Sequence, residues 1–221
     1  MYLVDLNAVT KIFRSYEVET RALDEISLKV EKGEFVAVMG PSGCGKSTLL
    51  HILGMLDEPV SGKYLFNGED AYPASRRQRN NLMHMGLGFV FQQFNLIDDL
   101  TIYDNVQLPL FYKKWPVQKR KKRVNEVLDS LGIGHRSNHY PQQLSGGQQQ
   151  RAALARAMVG EPLMILADEP TGNLDSENGE QVMDLLTALN REGKTIIMVT
   201  HSQKDAAYAH KIINMKDGRF I

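Results

Sequence analysis

Cysteine is almost missing from this chain: 221 residues contain one thiol, Cys44. No intrachain disulfide can form, which suits a reducing compartment such as the cytoplasm. An excess of either charge is missing too, since 26 lysines and arginines balance 26 aspartates and glutamates. No overall field draws the chain to nucleic acid or to an acidic partner, so any charged surface must be local. No apolar run approaches the roughly 18 residues needed to cross a bilayer. Met1 to Lys11 lacks the basic start and apolar centre of a signal peptide, so a role at a membrane would depend on anchored partners. Linkers, low-complexity tracts and internal repeats are also lacking. That leaves one domain, 1–221, whose 43% hydrophobic content is ample for a sizeable core.

The front of the chain reads as β-rich. Residues 23–30 alternate, with Ile26, Leu28 and Val30 on one face, and Glu31 to Glu34 is a turn before the apolar run Phe35 to Met39, a buried strand. A helix is expected over 46–56, then a strand over 64–66 ending in the tight turn Asn67-Gly68. From about Arg76 to Val159 the pattern is helical, apart from a short strand over 88–91. Thr101 and Asp104 have capping-box spacing, and 117–131 has helical spacing. Strand and helix then alternate: 163–167, a helix near 180–192, 195–200, a helix near 203–209, and 211–215. This describes an α/β core with a largely parallel sheet and a β subdomain over 1–91 and 160–221, carrying an inserted helical subdomain at about 92–159.

Gly40, Pro41, Ser42, Gly43, Cys44, Gly45, Lys46, Ser47 and Thr48 match the phosphate-binding pattern GxxxxGK[ST], here after a predicted strand and opening a helix. Glycines let backbone N–H groups close on phosphate oxygens, and the helix start adds partial positive charge. Lys46 is placed to reach the β and γ phosphates, Ser47 to offer a hydroxyl to Mg2+, and Thr48 to add a phosphate hydrogen bond. Cys44 reads as a tolerated small residue, although a positive loop lowers a thiol's pKa; thiol modification is expected to slow turnover and nucleotide to protect. At the carboxyl end of the apolar strand 163–167 stand Asp168, suited to Mg2+ through water, and Glu169, suited to polarise an attacking water. Leu144-Ser145-Gly146-Gly147-Gln148 opens a helix expected over 149–159, whose free N–H groups and dipole form a second anion site.

A phosphate loop occurs in many nucleotide enzymes, but LSGGQ together with the strand ending in Asp168-Glu169 narrows the field. Over essentially its whole length the chain resembles the ATPase subunit of an ABC transporter, a P-loop NTPase fold. The resemblance implies ATP and Mg2+ as cofactors. It also implies that Ser145, Gly146, Gly147 and Gln148 cover the ATP held by a second copy, in a head-to-tail homodimer enclosing two nucleotides. Gln92 stands at the Q-loop position, to bind metal and sense the partner, with Gln93 beside it. His201 stands at the H-loop position, to contact the γ-phosphate and align Glu169. Gly172-Asn-Leu-Asp175 resembles the D-loop, with Asp175 at the dimer seam, and the plain alternative of a helix cap. The family stacks an aromatic ring on adenine, for which Phe13 stands in place and Tyr16 is the alternative; GTP use stays open.

Residues 88–97, Leu100-Thr101, Asn105-Val106 and 108–110 look like the subgroup of macrolide-efflux and lipoprotein-releasing ATPases. That implies integral membrane permease subunits as partners, export or mechanical transmission as the task, and a peripheral place on the cytoplasmic side of the inner membrane. The segment 94–110 is then the expected docking surface. A basic cluster of Lys113, Lys114, Lys119, Arg120, Lys121, Lys122 and Arg123 around Trp115 is a solvated helix face or a contact for inner-leaflet lipid headgroups. Among the alternatives, ABC ATPases of DNA repair carry a long coiled-coil insert, whereas only 53 positions separate Gln92 from Ser145. Those of translation usually fuse two ATPase units. A P-loop kinase or GTPase leaves LSGGQ unexplained, and a regulator of the cell-division type stays open.

Overall fold

The computed structural model describes residues 2–14 and 19–221, with the backbone alone at His84 and Met85. A long strand that the sequence reading did not mark, β1 (Tyr2–Arg14), pairs antiparallel with β2 (Glu19–Glu31), which contains the alternation at 23–30 and extends it toward the N-terminus. With β4 (Ser61–Phe66) and β5 (Glu69–Tyr72) they form a sheet of order β2-β1-β4-β5. Along β2, Leu23, Ile26, Leu28 and Val30 are buried. The alternation slips by one at Glu25, whose left-handed φ of 53° marks an irregularity in the pairing. Asn67 (φ 52°) and Gly68 (φ 85°) are both left-handed, the twist a two-residue hairpin turn demands.

The second sheet carries the chemistry. Its order is β10-β9-β3-β8-β7-β6, where β3 is Phe35–Met39, β6 Leu87–Phe91, β7 Met164–Asp168, β8 Thr195–Thr200, β9 Lys211–Lys216 and β10 Arg219–Phe220. All neighbours are parallel except β9 and β10. Parallel strands covered on both faces read as continuous apolar runs, and successive residues feed opposite cores. Phe35, Ala37, Ile165, Ala167, Ile196 and Met198 face one cluster; Val36, Val38, Met164, Leu166, Ile197 and Val199 face the other. Each fully buried Val, Ile, Leu or Met side chain contributes about 1.5–3 kcal/mol, so a charge in these strands would be strongly destabilising.

The helices are α1 (Lys46–Leu53), α2 (Arg76–Gly86), α3 (Ile102–Tyr112), α4 (Val117–Ser130), α5 (Gly146–Met158), α6 (Ser176–Arg191) and α7 (Gln203–Ala206). Helix α1 stops before Leu56 because Gly54 caps it and Met55 turns left-handed at φ 57°. Helix α7 is a single turn and does not reach Ala209. At the start of α3 the Thr101 hydroxyl accepts from Asp104 N at 3.1 Å and donates to the Asp104 carboxylate at 2.6 Å. That is half of a capping box, because Asp104 engages the hydroxyl rather than the Thr101 backbone. Buried Asn105 accepts from Ile97 N at 2.7 Å and donates to the carbonyls of Ile97, Leu100 and Thr101, so α3 fixes the loop that follows β6. The inserted helices share their core with the sheet: Val106, Leu110, Val124 and Val127 belong to the same buried cluster as Ile165 and Ile196.

Candidate nucleotide site

The phosphate loop bridges β3 and α1. Gly45 caps α1 at φ 108° with no side chain bonded to the helix start. A Cβ there would lie 2.3 Å from the carbonyl oxygen of Ala22, so glycine is required by both conformation and space. Lys46, 7% exposed, donates to the carbonyls of Gly40 at 2.8 Å and Pro41 at 3.0 Å, which holds its ammonium inside the loop. The loop opens on a cavity of about 510 Å³ lined by Phe13, Ser42 to Thr48, Glu169 and Gly218 among others. Phe13 is 47% exposed, with the Lys11 ammonium 5.1 Å from its ring centre; Tyr16 lies outside the described residues. The Cys44 thiol is buried in the core behind the loop. That burial shields the thiol from reagents in solution.

Strand register brings the polar groups together. Asp168, the last residue of β7, pairs with Phe91 of β6 and Val199 of β8, so Gln92, Glu169 and His201 emerge at neighbouring strand ends, where open α/β sheets bind ligands. Desolvation, then the neighbouring Glu169 charge, raises the Asp168 pKa, while a hydrogen bond with the Ser47 side chain lowers it. Glu169 is left-handed at φ 43°, a conformation that costs of order 1–3 kcal/mol. Two backbone bonds hold it there, Glu169 N to Val199 O and Gly172 N to Glu169 O, both 3.0 Å. His201 Nδ1 lies 3.0 Å from Glu169 Oε1.

Gln92, rather than Gln93, reaches the next loop: its amide donates to Asn173 Oδ1 at 3.3 Å and its carbonyl accepts from Asn173 Nδ2 at 3.0 Å. Gln92 and His201 thus contact the loop after Glu169 and Glu169 itself, and neither lines the phosphate-loop cavity. Asp175 caps α6, accepting from Asn178 N at 2.9 Å and Asn178 Nδ2 at 2.7 Å. These bonds lower its pKa.

Ser145 caps α5 in a reciprocal box with Gln148, so the helix begins at Gly146, three residues before the expected start. The Oδ1 atom of Asn178 lies 2.2 Å from where a Gly147 Cβ would stand, which packs the LSGGQ turn against the start of α6. Helix α5 is also tied to the loop after β6, through Arg156 Nη2 to Phe94 O at 2.9 Å.

This spatial set of motifs has a match among known proteins. The sequence profile described as ABC transporter matches residues 23–172. The chain belongs to the ABC transporter family, as an ATP-binding subunit. It is 49% identical over 219 residues to an uncharacterized ABC transporter ATP-binding protein of Methanocaldococcus jannaschii, covering 99% of this chain and 98% of that one. It is 48% identical to a macrolide export ATP-binding/permease protein, MacB, of Azoarcus sp., covering 99% of this chain and 33% of the relative. The ATP-binding subunit therefore spans about a third of that longer protein. Among solved structures, the dimeric ABC transporter cassette MJ0796 superposes with a TM-score of 0.91 at 44% identity, over 98% of this chain and 96% of that one. A post-hydrolysis dimer of MJ0796 bound to ADP and Pi matches at 0.91 and 43%, over 99% and 97%. The fold is the ABC ATPase cassette, and the subunit is an ATPase.

Elsewhere on the subunit, an apolar groove of about 330 Å³ runs between β6 and α3, lined by Leu87, Phe89, Phe91, Leu108, Pro109 and Tyr112 among others. Several members of the basic cluster have internal contacts: Lys113 donates to Gly160 O at 2.5 Å and Arg123 to Val159 O at 3.3 Å, while Lys119 and Arg120 lie over the Trp115 and Phe111 rings and Lys122 stands 3.9 Å from Glu126. Lys114, Lys119, Lys121 and Lys122 are exposed. Among the described residues no helix is long and apolar enough to cross a membrane.

Motif spacing missed Asp205, buried on α7, which accepts from Thr171 Oγ1 at 2.5 Å and so links the loop after Glu169 to the loop after His201. Its signal was slight: an acidic residue four positions beyond His201.

Proposed function

We propose that two copies of this subunit clamp two ATP molecules head to tail and, on hydrolysis, release the clamp to move membrane permease subunits of the macrolide-export type. The observation that carries the reading is the separation within one chain of two anion-binding helix starts. Lys46, Ser47 and Glu169 share one cavity, and residues 145–148 are not among its lining. A second copy would bring its Ser145 turn over that cavity, where the start of α5 offers N–H groups and positive dipole to the γ-phosphate. The dimeric solved relative at 44% identity supports this arrangement.

Phosphate-loop backbone and Lys46 would bind the β and γ phosphates, Thr48 would add a hydrogen bond, and Phe13 would stack on the base. Glu169 would accept a proton from the attacking water. His201, through its Nδ1 contact at 3.0 Å, would hold the Glu169 carboxylate in place and turn its other ring nitrogen to the γ-phosphate. Gln92, already bonded to Asn173, would report the state of the partner's site to the loop after β6, with Asp175 at the seam.

The donor set fits Mg2+. Ser47 and Asp168 share a hydrogen bond and supply hard oxygens, and Gln92 stands at the adjoining strand end. Among the described residues no group of three His, Cys, Asp or Glu side chains could hold a metal alone, which suits an ion carried largely by nucleotide phosphates. When bound it would neutralise charge developing on the phosphate oxygens.

Residues 94–110 and the adjoining apolar groove would receive the permease at the cytoplasmic face of the inner membrane, and the exposed lysines of α4 would meet anionic headgroups. The test is Glu169→Gln. It is expected to bind ATP, to hydrolyse it roughly 10²- to 10⁴-fold more slowly, and to double its mass in light scattering when ATP is added. A monomer at saturating ATP would overturn the head-to-tail reading.

A further inference from the structure

We propose that Gln150 is a positioning residue that transmits the placement of the LSGGQ helix to the catalytic loop at Glu169, an inference that rests on the head-to-tail reading above. Gln150 lies on α5, five residues after Ser145, and is 0% exposed. Its amide nitrogen donates to the carbonyl of Pro170 at 2.5 Å and reaches the carbonyl of Phe91 at 3.4 Å. Pro170 directly follows Glu169, and Phe91 directly precedes Gln92. One side chain on the helix whose tip would cover the second copy's ATP thus grips the backbone beside both residues that would act on its own ATP.

Three features make this more than packing. Both neighbours are acceptors, so the amide nitrogen must face them and the orientation of the amide follows. Its oxygen, turned the other way, has no protein partner among the described residues. A methionine or leucine of similar volume would leave the Pro170 carbonyl without this donor, so the bond contributes stability, and the test must separate that from a role in position. Proline has no N–H, which makes the carbonyl the sole backbone group by which Pro170 can be held. Its neighbour Glu169 is in the left-handed region at φ 43°, where a small backbone movement swings the carboxylate. On the far side Thr171 is bonded to Asp205 at 2.5 Å, so the loop is pinned by α5 and by α7. Gln150 is the pin that moves with the LSGGQ helix.

The experiment compares Gln150→Met with wild type in the full chain, measuring kcat and KM for ATP, the affinity for a fluorescent ATP analogue, and the melting temperature. The expected result is a kcat lowered on the order of 10- to 100-fold, as small misplacements of catalytic groups produce, with nucleotide affinity near wild type and a melting temperature lowered only by the few degrees that one lost buried hydrogen bond costs. A wild-type kcat, or a loss of kcat matched by equal losses of affinity and melting temperature, overturns the proposal. Should Gln150→Met fail to fold, Gln150→Asn keeps a buried amide and withdraws the donor by one methylene; the same kcat loss is expected, and a wild-type rate overturns the role. If wild type turns over ATP while these variants match it, the role of Gln150 alone fails. A wild-type chain that hydrolyses no ATP sinks the head-to-tail ATPase reading, and this inference with it.

Discussion

Phe13 shows how one side chain reaches the phosphate-loop cavity without a motif of its own. It stands at the end of β1, opposite Thr20 in the strand pairing, and the same cavity holds it and the phosphate loop. The nearby Lys11 ammonium leaves part of the ring face free, with 47% of the residue exposed. Stacking of a base on an aromatic ring is worth about 1–3 kcal/mol. Phe13→Ala is therefore expected to raise the KM for ATP by on the order of 10- to 100-fold while kcat changes little, as steady-state kinetics would record. An unchanged KM would mean another group carries the base. Lys46, Ser47, Asp168 and Glu169 were legible because each chemical task needs one residue type at one spacing. Gln150 and Asp205 were not, since buried polar residues on helices carry no spacing signal and their roles lie in the carbonyl or hydroxyl they meet.

Helix α6 illustrates what local bonding adds to a strand-end loop. Asp175 accepts from the backbone and side-chain amides of Asn178, and that pair packs on Gly147. The bonds from Asn178 hold the Asp175 carboxyl below its ordinary value of 3.8. A lowered carboxylate pKa contributes stability that is present above the unfolded value and is lost as pH falls through the folded one. Asp175→Ala is accordingly expected to melt below wild type at neutral pH, with the gap narrowing as pH falls below the ordinary value of 3.8 and closing once the folded-state carboxylate is protonated too. Equal melting curves across the titration would show that the cap contributes nothing. The end of α1 resisted reading for a related reason: the helix stops at Gly54 because Met55 turns left-handed, whereas apolar spacing continues past it.

Across the whole molecule, charges that sum to zero are unevenly placed. Lys114, Lys119, Lys121 and Lys122 are exposed near Phe111 and Val117, themselves 62% and 70% exposed, in the stretch that begins where the apolar groove ends. A lysine near an anionic bilayer contributes about 1 kcal/mol. Replacing Lys119, Lys121 and Lys122 by glutamine should weaken sedimentation with phosphatidylglycerol vesicles by ~3 kcal/mol, on the order of 100-fold, and leave the weak binding to phosphatidylcholine unchanged. Equal sedimentation of both proteins would assign these lysines to solvent. The order of motifs along the chain determined the ATPase family, the parallel core sheet and the candidate phosphate-binding and acidic residues, because those depend on residue type and local spacing. Only the tertiary structure decided that Gln92 meets Asn173, that His201 meets Glu169, that Cys44 is buried and that α5 is bonded to the loop after Glu169. These contacts join segments up to 81 positions apart, and their distances follow from strand register and helix packing, which no local pattern encodes.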